Sequence, residues 1–135
     1  MMTGVTVIGL DAHSDERGTL VVLEPPTGLP FVARRVFFIS ASSPDVSRGG
    51  HALNCDELLV VPQGALTLDL DNGEERMSLR VSDPMTAVWL RAGVWLRLRD
   101  ISPGAVVAVM SPALYAETVR FDAPQPHMLP AEQSC

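Results

Sequence analysis

Residues 47–53 read Ser-Arg-Gly-Gly-His-Ala-Leu, and Glu57 and Gly64 follow them. His51 and Leu53 lie two positions apart, so on a β-strand their side chains point to the same face. The imidazole can bind a metal ion or move a proton near neutral pH, whereas the leucine side chain can do neither. The stretch therefore predicts a site at which His51, but not Leu53, can bind a metal ion or transfer a proton.

Length and composition limit the possible functions. A chain of 135 residues predicts one domain with one core. Its net charge of -6 and its lack of lysine argue against binding to nucleic acid, which depends on clustered basic side chains. There is no long apolar run or signal-like start, and Cys55 and Cys135 form no disulfide or metal-binding pattern. We therefore expect a cytoplasmic protein that is neither exported nor embedded in a membrane.

Short alternating segments separated by turn residues predict an all-β fold, a sandwich or barrel of about ten strands. The strand candidates are residues 5–8, 19–23, 32–39, 57–61, 65–70, 77–81, 87–90, 94–99 and 105–110. The pair Asn72-Gly73 favours a tight hairpin between two of these strands. The proline-containing end predicts an irregular tail over 122–135, after a barrel over 1–121.

The segment 94–99 has two distinct faces. Leu96 and Leu98 share one face, which we expect to point into the barrel. Trp95, Arg97 and Arg99 share the other, which we expect to be exposed or to lie at a subunit contact or pocket rim.

Several segments together resemble the nucleotide-sugar 3,4-ketoisomerases, small enzymes of the cupin family, over about residues 7–121. The matching segments are residues 15–20, 29–31, 35–39, 48–52, 57–61, 64, 71–73, 94–95 and 115–118. The resemblance implies a double-stranded β-helix, also called a jelly roll, and a homodimer. It also implies a barrel pocket that acts on a small molecule without a metal ion or another cofactor.

The chain departs from that family at three pocket positions. The resemblance places a second histidine at Leu53 and a further histidine at Leu96. It places tyrosines at Phe37 and Phe38, one of which faces the site. Losing one proton-transfer or oxyanion-binding group typically lowers a rate by roughly 100- to 1,000-fold. We therefore expect a poor ketoisomerase.

A metal site at this place is not expected either. Cupin metal sites commonly use three histidines and a glutamate that converge on one point. The corresponding positions are His51, Leu53, Glu57 and Leu96, of which two are hydrocarbon. Glu57 is therefore interpreted as a structural or pocket carboxylate rather than a metal ligand.

The leading hypothesis is a metal-independent cupin that binds and isomerises or cyclises a small, largely apolar biosynthetic intermediate, with His51 as its only acid or base. One alternative is an active dTDP-4-keto-6-deoxyhexose 3,4-ketoisomerase in which Glu57, Arg35 or Tyr115 assists His51. The other is a non-catalytic ligand-binding cupin. The sequence leaves all three open.

Apolar side chains are expected to line the pocket, although they could instead fill the barrel. Arg35 and Arg48 suit a phosphate or carboxylate, or a surface salt bridge. His51 is the predicted catalytic residue. The predicted ligand-binding residues are Arg35, Phe37, Arg48, Leu53, Glu57, Trp95, Leu96, Leu98, Met110 and Tyr115.

Overall fold

A computed structural model describes residues 2–130, which form twelve β-strands and two short 3₁₀ turns. In chain order the strands are β1 (Val5–Gly9), β2 (Asp11–Asp15), β3 (Gly18–Val22), β4 (Arg35–Ile39), β5 (Arg48–Leu53), β6 (Glu57–Gln63), β7 (Leu66–Asp71), β8 (Arg76–Val81), β9 (Thr86–Leu90), β10 (Trp95–Arg99), β11 (Val106–Ser111) and β12 (Arg120–Phe121). The 3₁₀ turns cover Tyr115–Glu117 and Pro126–Met128.

Ten of the strands form two five-stranded antiparallel sheets. The first sheet has the order β1-β9-β6-β11-β4, and the second has the order β12-β5-β10-β7-β8. Side chains from both sheets pack together in one core. β2 and β3 form a separate hairpin. This arrangement confirms the predicted all-β, single-domain jelly roll.

Alternation along the strands separates the core from the surface. Leu96 and Leu98 of β10 point inward and are buried. Arg97 and Arg99 point outward, where both donate hydrogen bonds to Asp69 of β7, at 2.9 and 2.7 Å. The two predicted faces of the segment 94–99 are therefore confirmed, and the inward face belongs to the interior of the barrel.

The predicted hairpin at Asn72-Gly73 joins β7 to β8, but its connection spans residues 72–75. The Asn72 side-chain oxygen accepts hydrogen bonds from the backbone N–H groups of Glu74 and Glu75, at 2.9 and 2.8 Å. Gly73 has a positive φ of 94°, whereas a two-residue type I′ turn needs positive φ at both central residues. The prediction of a tight turn was therefore wrong in length, because the asparagine side chain closes a longer one.

Residues 122–130 contain little regular structure, yet they lie against the barrel. The backbone N–H of Gln125 donates to the carbonyl of Gly93 at 2.8 Å, and Leu129 packs against the core. A domain boundary after residue 121 stays a prediction, and residues 131–135 of the predicted tail, including Cys135, lie outside the described residues. Within residues 2–130, no helix combines the length and hydropathy that a membrane crossing needs.

Candidate active site

A cavity of about 430 Å³ opens between the two sheets. β4, β6 and β11 form one wall, and β5, β10 and β12 form the other. Exposed side chains of Phe38, Tyr115 and Arg120 line it as well, which places its mouth beside them. The alternative that apolar side chains fill the barrel is therefore wrong, because the cavity is within the size range of small-molecule sites.

His51 lies in β5 with its side chain in this cavity. Leu96 of β10 is its direct partner across the strand pair, and Leu53 follows two positions later on the same face. Burial, with a smaller contribution from the positive charge of Arg120, lowers the pKa of the His51 imidazole below its usual value. The ring is therefore neutral at neutral pH and can accept a proton, with hydrocarbon neighbours along its strand pair.

Glu57 is the first residue of β6, and its side chain also lines the cavity. It is only 5% exposed. Burial raises the pKa of its carboxyl to about 7, although the nearby charges of Arg35 and Arg120 oppose this rise. Among residues 2–130, burial and the charges of Arg35 and Arg120 act on this carboxyl, and no hydrogen bond contributes to its pKa. This carboxyl is thus poised to gain or lose a proton near neutral pH.

Arg35 places a guanidinium on the same wall. It lies opposite Ser111 in the pairing of β4 with β11, and its Nε atom is buried without a hydrogen-bond partner among the described residues. The guanidinium carbon lies 5.2 Å from the centre of the Phe37 ring and 5.9 Å from that of Tyr115. Because a guanidinium binds anions through charge-assisted hydrogen bonds, Arg35 in the cavity wall favours an anionic ligand.

Two more guanidiniums line the cavity. Arg120 pairs with Leu53 between β12 and β5, and it lies 5.1 Å from the centre of the Tyr115 ring. Arg48 is exposed at the start of β5 and donates a hydrogen bond to the Ser40 carbonyl at 3.2 Å. The cavity therefore combines apolar walls with a cluster of positive charge.

Comparison with known proteins places this geometry in a family. The family model described as FdtA: WxcM-like, C-terminal matches residues 3–121. The chain belongs to the FdtA family. The family assignment also confirms the resemblance that the sequence motifs indicate.

Relatives of known activity agree with the assignment. A TDP-4-oxo-6-deoxy-alpha-D-glucose-3,4-oxoisomerase from Aneurinibacillus thermoaerophilus is 29% identical over 113 residues, which cover 83% of this chain and 81% of the relative. A 3,4-ketoisomerase from Helicobacter canadensis is 26% identical with a TM-score of 0.81, covering 87% of this chain and 91% of the other. These relatives make this FdtA-family chain a cupin of the sugar ketoisomerase type.

A second structure supports the fold alone. A mutant of the 3,4-ketoisomerase QdtA from Thermoanaerobacterium thermosaccharolyticum, in complex with TDP-4-keto-6-deoxyglucose, matches with a TM-score of 0.83 and 24% identity. The match covers 88% of each chain. The match supports the jelly-roll fold of the FdtA-family chain.

The structure brings most of the predicted site residues of this FdtA-family chain together. The predicted residues that line the cavity are Arg35, Phe37, Arg48, His51, Leu53, Glu57, Leu96, Leu98 and Tyr115. The three positions at which family resemblance leads one to expect polar groups, Phe37, Leu53 and Leu96, all face this space. Their roles in binding and catalysis stay predictions.

Two predicted ligand-binding residues lie elsewhere. Trp95 points to the outer face of the second sheet, because it alternates with the inward-facing Leu96. It lines a separate surface groove with Arg97, whose guanidinium carbon is 5.8 Å from its ring centre. Met110 alternates with the cavity-lining Val109 and packs in a second apolar cluster outside the first sheet. Neither residue lines the barrel cavity, which corrects their place in the predicted pocket, although the outward position of Trp95 agrees with its predicted face; strand alternation is the physical reason.

Sequence reasoning missed Arg120 and underestimated the charge of the cavity. The predicted pocket residues include the guanidiniums of Arg35 and Arg48 and the Glu57 carboxyl, whereas the observed cavity has a third guanidinium, that of Arg120. β12, which carries Arg120, has only two residues, so no alternating pattern marks it in the sequence. Within residues 2–130, no group of three or more His, Cys, Asp or Glu side chains is placed to hold a metal ion.

Proposed function

We propose that this chain binds a nucleoside-diphosphate 4-keto-6-deoxy sugar and moves its carbonyl group between C4 and C3. The observation that carries the proposal is the guanidinium cluster of Arg35, Arg48 and Arg120 in the cavity that also contains His51. Guanidiniums bind phosphate oxygens through charge-assisted hydrogen bonds, and a diphosphate is a multiply charged anion. The activities of the relatives support the same substrate class.

The chemistry requires a group that takes the proton beside the ketone. His51 is suited to this step because burial keeps its imidazole neutral. The apolar side chains of Phe37, Leu53 and Leu96 contact the sugar ring and its 6-deoxy carbon, and they exclude water. The arginine cluster anchors the diphosphate, so the binding energy of the nucleotide orients the sugar against His51.

A second candidate is an isomerase or cyclase that acts on a largely apolar intermediate. The hydrocarbon at Leu53 and Leu96 beside His51 favours it. An apolar ligand in this cavity, however, removes water from the guanidiniums that line it without replacing their hydrogen bonds, which is unfavourable. We therefore place this candidate, and a non-catalytic binding cupin, behind the nucleotide-sugar enzyme.

Ligand binding and turnover test the proposed function. We expect TDP to raise the melting temperature of the chain, because a ligand of the native state stabilises it. We expect Arg35→Leu to weaken TDP binding by roughly 10- to 100-fold, the effect of losing charged hydrogen bonds. Proton NMR of TDP-4-keto-6-deoxyglucose incubated with the protein follows formation of the 3-keto isomer.

The matched control is Arg76→Leu, which removes an exposed guanidinium bound to Asp71 and should leave TDP binding unchanged. Absence of both a TDP shift and turnover in the unaltered chain rejects the nucleotide-sugar proposal and favours the apolar-ligand candidate. Binding of TDP without turnover favours a non-catalytic cupin.

We also propose that the chain acts as a homodimer. β4 is an edge strand of the first sheet, and its outward side chains Val36 and Phe38 are exposed, Phe38 by 72%. The β2–β3 hairpin also presents an exposed side chain, Leu20. Native proteins usually cover an apolar sheet edge, and a second copy of this chain offers such a cover.

Light scattering after size-exclusion chromatography measures the assembly. We expect twice the 14.5 kDa mass of the chain for the unaltered protein, and a shift toward the monomer for Phe38→Asp. Met85→Asp places the same charge on an exposed apolar residue in the loop before β9 and should leave the dimer intact. A monomeric mass for the unaltered protein at micromolar concentration contradicts the homodimer.

A further inference from the structure

Within the described part of the chain, the Glu57 carboxyl makes no contact that would give it a structural role, such as a hydrogen bond to a neighbouring strand or loop. It is more than nine-tenths buried and faces the cavity, and no hydrogen bond among residues 2–130 contributes to its pKa. The adjacent Asp56 differs in this respect, because it accepts hydrogen bonds from the Trp89 indole and the Ala92 backbone. Neither Glu57 oxygen is among the fully buried atoms that lack a partner in residues 2–130, so the carboxyl is open to the cavity, where a ligand can engage it.

The proposed reaction needs proton transfer at oxygen as well as at carbon. Removing the proton from C3 pushes charge onto the C4 oxygen, and a donor beside that oxygen lowers the barrier. His51 handles only one of these two proton transfers at a time. Its partner across the strand pair, Leu96, and its neighbour Leu53 have no exchangeable proton. The second proton-transfer group must therefore come from elsewhere in the cavity.

Among the described residues, only a few titratable or charged side chains line the cavity and are candidates for the second proton-transfer group. They are Arg35 on β4, Arg48 and His51 on β5, Glu57 on β6, Tyr115 in the first 3₁₀ turn and Arg120 on β12. The guanidiniums stay protonated at all physiological pH values. Tyr115 is 66% exposed at the mouth, beside Arg35 and Arg120. Glu57 is the remaining group, and it lies inside.

We propose that Glu57 is the second proton-transfer residue of this site and acts on the substrate's oxygens while His51 acts on its carbons. The inference rests on the proposed function. It identifies the group that replaces the acid–base partner missing at Leu53, so that the chain reaches the same chemistry with an imidazole and a carboxyl from opposite sheets.

The proton transfers balance over the reaction. The neutral His51 removes the proton from C3, the C3–H electron pair forms a C3=C4 double bond, and the C4 oxygen takes a proton from the Glu57 carboxyl. The Glu57 carboxylate then removes the proton from the C3 hydroxyl, the C3 carbonyl forms, and C4 takes the proton from the His51 imidazolium. Both residues return to their starting states, and no oxidant, reductant or co-reactant is consumed.

The electrostatics of the cavity suit these roles. Burial raises the pKa of Glu57 to about 7, so a protonated carboxyl is available near neutral pH. Burial and Arg120 lower the pKa of His51, so its imidazole is available as a base. Arg35 and Arg120 stabilise the carboxylate that forms during the first half of the reaction.

Steady-state kinetics of Glu57→Gln with TDP-4-keto-6-deoxyglucose as substrate test the inference. The matched control is Glu74→Gln, in the exposed β7–β8 turn. We expect Glu57→Gln to lower kcat by roughly 100-fold or more, while KM and the TDP-induced melting shift change little. In the unaltered protein kcat/KM should fall above about pH 7, as Glu57 loses its proton, and Glu57→Gln should lack this fall. Glu57→Asp should recover part of the rate.

Each outcome is informative. Turnover by Glu57→Gln within threefold of the unaltered protein, with the same pH profile, overturns the role of Glu57 and leaves the proposed function standing. An unaltered protein that gives neither isomer nor deuterium incorporation at C3 in heavy water overturns the proposed function, and the inference with it. The inference is supported if Glu57→Gln loses both the rate and the fall in rate above pH 7 but still binds TDP.

Discussion

Replacing His51 with asparagine should lower kcat by about 1,000-fold or more with TDP-4-keto-6-deoxyglucose, because no other imidazole reaches the cavity in residues 2–130. Asparagine keeps a polar side chain of similar shape but cannot accept a proton from carbon. The arginine cluster is untouched, so the TDP-induced melting shift should stay within a degree or two of the original. Coupled NMR and melting measurements on one preparation check both expectations.

The control for this change is His127→Asn, which alters an exposed histidine in the second 3₁₀ turn. It should leave kcat and the melting temperature unchanged. Activity of His51→Asn within tenfold of the unaltered protein contradicts catalysis by His51. In that case the proton at carbon moves through another group, and the cavity-lining Glu57 becomes the first candidate for that step.

Strand alternation made much of the fold predictable from the sequence. Segments such as β7 and β10 carry leucines at every second position, and the structure buries these leucines. The polar strand β2 and the two-residue β12 were not predicted, because neither has an apolar face of useful length. β4 begins at Arg35 rather than at Val32, since the pairing with β11 starts there.

The candidate site was predictable where a side chain shares a face with a recognised motif. His51 and Leu53 follow from the spacing in β5, and Arg35 follows from its parity with Phe37. Arg120 was missed because its place in the cavity depends on pairing between β12 and β5, which are distant in sequence. The sequence also gave no measure of how deeply Glu57 is buried, and burial determines its chemistry.

The burial that suits Glu57 to proton transfer also makes the stability of the folded protein depend on pH. A carboxyl that is protonated more easily in the native state than in the unfolded chain makes the native state bind more protons. Its pKa is about 7 in the folded protein, against 4.5 for an unperturbed glutamate. The native state is therefore favoured by this group at low pH, and the advantage is lost as the pH rises from about 4.5 to about 7.

The same reasoning predicts that Glu57→Gln makes the protein more stable at alkaline pH. Above pH 7 the unaltered carboxyl is ionised in both states, and the rise of its pKa from 4.5 to about 7 on folding corresponds to about 3 kcal/mol of destabilisation. Glutamine keeps the shape and cannot ionise, so the free energy of unfolding at pH 8 should rise by up to this amount. At pH 4.5 the two proteins should be nearly equal.

Urea unfolding at pH 4.5 and pH 8, with and without the substitution, measures this difference. Comparing each variant with the unaltered chain at the same pH cancels the titration of the other carboxyls. One of these is Asp69, whose pKa is lowered by a hydrogen bond from Arg99. Glu74→Gln, in the exposed turn, should show no pH-dependent gain. An equal effect of Glu57→Gln at both pH values means that the carboxyl is solvated, and the cavity then lacks the buried acid that the mechanism requires.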